Sequence, residues 1–280
     1  MSTTKLPIAI ILPHAALATP PELEGRLALT EADIFNEADV YTDLLFDFKD
    51  RVARWHVFPY ARGIIDVNRP EDPRLLKRAG DGVVKELTSY GHPVFKPGMR
   101  PDPAEEKALI DRYWRPWHDL LDEIAADPEI KLVIDGHSMA ARGPNKYDPN
   151  EKLRPRACAS NLGDTHGLPR PHLPGTTMSA EDLGVLAAAL EQQFASLSPL
   201  CQEATPGPVL LNAPYAGGWD LKAHGVNSPQ PWAMIEVSRA LYIGRQSAVN
   251  PPQPPQMALI EEIREALWQA ILTLYNHLQA

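Results

Sequence analysis

One stretch constrains this chain more than any other, an apolar run that stops abruptly in an acid, a glycine and a histidine: Lys131-Leu-Val-Ile-Asp-Gly-His-Ser-Met139. Leu132 to Ile134 is short and β-branched, and the helical pattern before it ends at Asp127-Pro128, so the run is predicted as a buried central strand of an α/β sheet. Ligands of open α/β sheets bind beyond the carboxyl ends of the strands, which makes the tip of this run a candidate site. Asp135 and His137 lie two residues apart and share a side of the extended chain, whereas Ser138 points the other way. That alternation argues against a serine-hydrolase triad, whose members must converge. Asp135 and His137 can be a metal ligand and the acid that orients it. A strand-end histidine hydrogen-bonded to its neighbour is the competing reading, and this stretch alone slightly favours it.

Composition narrows the function classes. With 280 residues and 44% hydrophobic content the chain can build one large α/β domain, expected to span 1–280. A net charge of −9 without a basic tail excludes a nucleic-acid footprint, so a substrate anion would need locally placed arginines. Cys158 and Cys201 are far apart and lack C-x-x-C spacing, which excludes a cysteine zinc site and fits a reducing compartment. The apolar run Pro7 to Pro13 is too short for a signal peptide or membrane span, so no membrane partner and a cytoplasmic location are expected. The 29 prolines cluster in loops and should stiffen them.

In chain order, Ile8 to Leu12 is predicted as a second buried strand ending in a histidine, Pro13-His14. Ala32 to Phe48 is predicted as a helix with Asp39 and Asp43 on one face, a pair that also suits a merely solvated surface. Ile64 to Pro70 is strand-like, and its Asp66, Asn68 and Arg69, with Arg62 just before it, sit among apolar neighbours, where charge must be paired or used. Asn68 and Arg69 suit a carboxylate ligand; an ion pair between Asp66 and an arginine is the equal alternative. Pro103 to Ala126 is an amphipathic helix with Leu109, Tyr113, Trp117 and Leu121 facing inward and His118 packed. Ala140 to Pro174 is expected as a long loop carrying Arg142, Arg154 and Arg156. Ser179 caps a helix reaching Ala195. Val209 to Leu211 is a short strand, followed by Asn212-Ala-Pro-Tyr-Ala-Gly-Gly218, where Gly217 and Gly218 allow close backbone approach or simply a turn. Ala233 to Val237 is a strand with Glu236 embedded in it, a candidate perturbed carboxylate. Residues 250–256 are a stiff linker, and Met257 to Leu278 is the final helix.

Two strand-end histidines, a helix acid, a buried glutamate and an Asn-Arg pair are the parts of a mononuclear zinc hydrolase, although no H-E-x-x-H spacing is present. The motifs Pro13-His14, Asp39-Val-Tyr-Thr-Asp43, Ile65-Asp-Val-Asn-Arg-Pro70, Asp135-Gly-His-Ser-Met139, Asn212 to Gly218 and Ile235-Glu-Val-Ser-Arg-Ala-Leu-Tyr242 occur in one order over most of the chain. In that order they resemble the N-formylglutamate amidohydrolases. The resemblance implies a mixed central β-sheet with helices on both faces, of zinc carboxypeptidase type, and a Zn2+ ion held by His14, His137 and Asp39. Leu17 stands where carboxypeptidase-like relatives have a ligand glutamate, and Asp39 is preferred over Glu22, Glu37 and Asp43 by alignment. The resemblance further implies Glu236 as general base and acid, Arg62 as the group polarising the scissile carbonyl, and Asn68 and Arg69 on the α-carboxylate. Tyr215, Gly217, Gly218 and Arg239 are further substrate-binding candidates. Arg100, Arg142, Arg154, Arg156 and Arg239 are all possible readers of a substrate side-chain carboxylate. The implied reaction is hydrolysis of N-formyl-L-glutamate late in histidine breakdown. The alternatives are hydrolysis of another N-acyl amino acid and a non-catalytic binding protein on the same fold.

Overall fold

The computed structural model describes residues 5–76, 80–142, 153–198, 207–244 and 251–280. Its six strands are β1 (Leu6–Leu12), β2 (Val52–Val57), β3 (Leu132–Met139), β4 (Ala157–Ser160), β5 (Val209–Leu211) and β6 (Trp232–Ser238). They lie in the order β2-β1-β3-β6-β4-β5. The first four of that order are parallel, β4 runs antiparallel to β6, and β5 is parallel to β4. The sheet is therefore mixed, as expected. Every residue of β3 is buried, which agrees with its place inside the sheet.

The helices are α1 (Glu31–Glu37), α2 (Thr42–Leu45), α3 (Pro103–Leu109), α4 (Arg115–Ala126), α5 (Ala180–Ala195) and α6 (Met257–Leu278). Because strand residues alternate, Ile8, Ile10, Ile134 and Ile235 point to one face, where Leu183, Leu186 and Leu190 of α5 and Ile260, Ile263 and Leu267 of α6 cover them. Ala9, Ile11, Val133 and Trp232 point to the other face and meet Leu109, Trp117, Leu121 and Ile124 from α3 and α4. Each such side chain contributes about 1.5–3 kcal/mol on burial, so both helix layers are held by ordinary apolar packing. The α3–α4 stretch is one amphipathic run interrupted by a π turn at Ile110–Trp114. Pro116 in the first turn of α4 has no amide to donate, and the widened turn lies just ahead of it.

Three expected elements differ. The helix expected over Ala32 to Phe48 is broken: Ala38 is extended with ψ 159, Tyr41 is left-handed with φ 65, and α2 begins only at Thr42. Asp39 lies in that break, so it shares no helix face with Asp43. Tertiary bonds override helix propensity here, since Asp39 N–H donates to His14 O at 3.0 Å and the carboxylate turns toward β3. Ile64 to Pro70 is not a strand but a series of turns with one bridge, Ile65 to Val84. The Asp66 carboxylate accepts the Asn68 N–H at 3.1 Å, a local turn bond that competes with a ladder. Within the expected loop from 140 to 174, Ala157–Ser160 forms strand β4, fully buried despite lacking β-branched residues; residues 143–152 of that loop lie outside the described residues, as do Cys201 and Asn250. No helix among the described residues is long and apolar enough to cross a membrane.

Candidate active site

The candidate residues converge on the face of the sheet that α4 covers, at the carboxyl ends of β1, β3 and β6. His137 of β3 pairs in register with Glu236 of β6, which in turn pairs with Cys158 of β4, so the three positions form one row. Asp135 precedes His137 on the same face, while Gly136 between them points into the opposite layer. A Cβ at Gly136 would come within 2.5 Å of Leu12 Cδ2. Glycine there lets β3 pack against Leu12 and Phe46 without displacing its two flanking polar residues.

His14, just past β1, and Asp39, in the helix break, complete the cluster with His137. One ligand atom of each residue lies within 4.8 Å of the others, and all three are buried. Asp39 Oδ2 accepts from His137 Nδ1 at 2.8 Å and from the Ser138 N–H at 3.3 Å, and it stands 3.5 Å from His14 Nδ1. His14 Nδ1 has no hydrogen-bond partner among the described residues. The opposite ring nitrogens rest against further buried acids: His14 Nε2 lies 2.8 Å from Asp66 Oδ1, and His137 Nε2 lies 2.9 Å from Asp135 Oδ1. Two imidazoles backed by carboxylates and turned with their other nitrogens toward a third carboxylate are the donor set and support of a catalytic zinc ion. The residues present therefore fit such an ion.

Electrostatics point the same way. Burial raises the Asp39 carboxyl, but the hydrogen bond from His137 and the close His14 ring outweigh it and hold the group below the usual range. Burial disfavours a charged His137 ring, yet Asp135 and Asp39 reverse that and push its pKa well above the ordinary value. The surrounding acids thus favour a positive charge at the point where the three residues meet. Asp66 is fully buried; burial raises its pKa and the charges of Arg69, Lys85, Arg62 and His14 lower it further than that. Its ion pairs are to Lys85 at 2.9 Å, Arg62 at 3.0 Å and Arg69 at 3.5 Å, so the ion-pair alternative for Asp66 is present alongside its contact to His14.

Glu236 is 7% exposed and its Oε2 has no hydrogen-bond partner among the described residues. Burial is the main reason its pKa is pushed up to about 7; the charges of His137, Arg154 and Arg62 oppose that rise and Asp39 adds to it. A carboxyl balanced near neutrality can take a proton and return it.

The remaining candidates are placed as follows. Arg62 stands 3.8 Å from Asp39 and leaves Nε without an acceptor among the described residues. The Asn68 amide is engaged at both ends, with Nδ2 3.3 Å from His137 Nε2 and Oδ1 accepting the Asp220 N–H at 2.9 Å. Arg69 Nη1 donates to Asn68 O at 2.9 Å, and its guanidinium is part-exposed. Gly218 is pressed against Asn68, since a Cβ there would fall 2.2 Å from its Oδ1, and Gly217 has φ 135 against Leu162. The close approach these glycines permit in the structure is therefore to protein. Arg239 is buried and donates to the carbonyls of Asn36 and Ala38 at 3.2 and 2.6 Å, which ties down the end of α1 beside Asp39. Tyr215 is held through its carbonyl, which accepts from Ser160 Oγ at 2.7 Å. His118 is packed as expected, against Val67 O at 2.9 Å and His224 at 2.7 Å.

Sequence reasoning missed Lys85, Asp81 and Asp220. Lys85 follows Val83-Val84 in an apolar context, a signal of the same kind that singled out Arg62 and Asp66. Asp220 is fully buried near Asp135, and its pKa is raised well above the ordinary value by burial and by that neighbour.

Comparison with known proteins gives a consistent picture. A profile described as N-formylglutamate amidohydrolase matches residues 6–243. The chain is 28% identical over 246 residues to the N-formylglutamate deformylase of Pseudomonas putida, covering 85% of this chain and 82% of that protein. It is 25% identical over 250 residues to the N-formylglutamate deformylase of Pseudomonas aeruginosa, covering 87% and 84%. The crystal structure of an N-formylglutamate amidohydrolase from Ralstonia eutropha JMP134 superposes with a TM-score of 0.69 at 18% identity, over 98% of this chain and 95% of that one, and shares its fold.

Proposed function

Because the chain belongs to the N-formylglutamate amidohydrolase family and is with it a hydrolase of amide bonds, we propose that it cleaves N-formyl-L-glutamate to formate and L-glutamate with a zinc ion held by His14, Asp39 and His137. The observation that carries this reading is the convergence of His14 Nδ1 and Asp39 Oδ2 on His137 Nδ1, whose residue pairs in the sheet with Glu236, a carboxylate whose Oε2 has no hydrogen-bond partner among the described residues. When bound there, zinc would supply a water acidic enough to attack at neutral pH and a Lewis acid for the formyl oxygen.

The chain's own groups supply the rest. Glu236, with its pKa near 7, accepts the proton of the attacking water and passes it to the departing amine. Arg62, fixed by Asp66 and carrying an Nε without an acceptor, faces the negative charge that develops on the formyl oxygen. Arg69 offers its part-exposed guanidinium to the α-carboxylate. Asn68 holds His137 in place from behind, and Arg239 holds the segment that carries Asp39. Burial of Asp39, His137 and Glu236 keeps these interactions in a low-dielectric setting, where each is stronger than in water.

The test is formate release from N-formyl-L-glutamate, measured with elemental analysis of the wild type and His137→Ala side by side. About one zinc per chain with formate release in the wild type, and neither in the variant, is the expected result. Formate release that survives exhaustive chelation would remove the metal from the proposal, and no release with zinc bound would remove the substrate.

A further inference from the structure

The substrate proposed above carries two carboxylates, and the cations around the site are not equally free to meet them. Arg62 and Arg69 both lean on Asp66. Arg100, at the far surface, pairs with Glu86 at 3.0 Å and Glu106 at 3.4 Å. Arg156 donates to Gly207 O, and Arg239 is buried on the carbonyls of α1. Arg154 differs from these. Among the described residues its side chain makes one hydrogen bond, from Nη1 to Ala140 O at 3.3 Å, and no carboxylate among them lies within ion-pair distance of it.

The fold aims this guanidinium at the site. Arg154 N–H donates to Ala141 O at 2.8 Å and Leu153 bridges Arg142, which anchors Arg154 over the carboxyl end of β3. Its guanidinium lies 5.2 Å from the ring centroid of Tyr215. The Tyr215 carbonyl accepts from Ser160 Oγ at 2.7 Å and from Cys158 Sγ at 3.2 Å, on the strand whose Cys158 pairs with Glu236. Arg154 therefore lies on the β4 side of Glu236 and its charge reaches that carboxyl, as does that of Arg62, which stands 3.8 Å from Asp39 on the opposite side. A guanidinium over an aromatic face is held by the ring's negative face while its planar edge of N–H groups stays able to take a carboxylate in a bidentate fork.

We infer that Arg154, held over the ring of Tyr215, receives the side-chain carboxylate of the acyl amino acid and so selects a dicarboxylate substrate. This rests on the deformylase reading given above. Arg69 would then meet the α-carboxylate and Arg154 the carboxylate two methylenes further on, with the scissile amide between Glu236 and the metal ligands.

Steady-state kinetics on N-formyl-L-glutamate and on its neutral isostere N-formyl-L-glutamine test the assignment in the zinc-loaded wild type, Arg154→Gln and Arg154→Lys. The wild type should prefer the glutamate substrate in kcat/KM. In Arg154→Gln that preference should collapse by about 30-fold or more, because a paired, partly desolvated carboxylate loses its counter-charge, and the loss should appear in KM. Arg154→Lys should restore part of it, which a merely structural role would not. Preference retained in Arg154→Gln, or an equal fall in kcat on both substrates, overturns the assignment of Arg154 alone. Absence of formate release from either substrate by the zinc-loaded wild type overturns the deformylase reading and this assignment with it.

Discussion

Asp39 Oδ2 and His137 Nδ1 lie 2.8 Å apart across 98 residues of chain, and Asp39 reaches that place only because the helix it was expected to occupy breaks at Ala38. The break brings a helix-end acid onto the tip of a central strand. Arg239, from the segment after β6, donates to the Ala38 carbonyl and holds the break open. Asp39 Oδ2 thereby joins the two histidines, while the adjacent Ala38 carbonyl ties the end of the first helix to the segment after the last strand.

Asp135 should matter to the metal more than to the fold. Both its oxygens lack hydrogen-bond partners among the described residues, and its charge adds to the strain on Asp220. Asp135→Asn should weaken zinc binding by about 10–100-fold, the usual cost of losing the acid behind a histidine ligand. Thermal stability of the metal-free protein should be unchanged or higher. Competition against a chromophoric chelator and a melting curve read the two effects separately, and unaltered zinc affinity would contradict the role given to Asp135.

Glu236→Gln should lower kcat for formate release by about 10²–10⁴-fold, the range for a lost general acid–base group, with zinc content retained. In the wild type the acid limb of kcat/KM should fall at or below pH 7, because a bound cation favours the ionised carboxylate over its value of about 7. That limb should disappear from the residual activity of the variant. Full activity in Glu236→Gln would assign the proton transfer elsewhere.

Gly218→Ala should damage the site from outside it. The new Cβ would fall 2.2 Å from Asn68 Oδ1, so the amide must leave both Asp220 N–H and His137 Nε2. Overpacking of this kind costs about 1–3 kcal/mol, and denaturant unfolding should show a loss in that range together with weaker zinc binding. A variant with wild-type stability would show that the amide moves aside freely.

His118 should make the protein acid-sensitive. Burial is the main reason its pKa is lowered from 6.5 to about 4. Between those values the unfolded chain binds a proton that the folded chain does not, so stability falls as pH drops through 6.5 toward 4, by about 3 kcal/mol at most. Glu236 acts with the opposite sign, since its raised pKa makes the metal-free fold lose stability as pH rises from 4.5 toward 7. The difference between wild type and His118→Gln isolates the histidine, and equal stability differences at pH 4 and pH 7 would contradict a buried neutral ring.

Periodicity carried most of the architecture. The runs Ile8 to Leu12 and Ala233 to Val237 fall inside strands Leu6–Leu12 and Trp232–Ser238, and Ser179 and the stripe of Ile260, Ile263 and Leu267 marked α5 and α6, because apolar spacing and caps are local properties. Strand β4 was illegible, since Ala-Cys-Ala-Ser has no β-branched signal and is held by burial between β5 and β6. The same-side geometry of Asp135 and His137 was readable from strand alternation alone.

What the sequence by itself determined is therefore β1, β3, β5 and β6, the polar residues at the carboxyl tips of β1, β3 and β6, and which side chains alternate toward a common face. Only the tertiary structure decided that Asp39 leaves its helix, that Asn68 is spent behind His137, that Arg62 and Arg69 share Asp66, and that Arg154 has no carboxylate partner among the described residues. The physical reason is that backbone periodicity is set by neighbours in sequence, whereas a buried charge is placed by whichever partners the fold brings within a few ångströms, and those partners are distant in sequence.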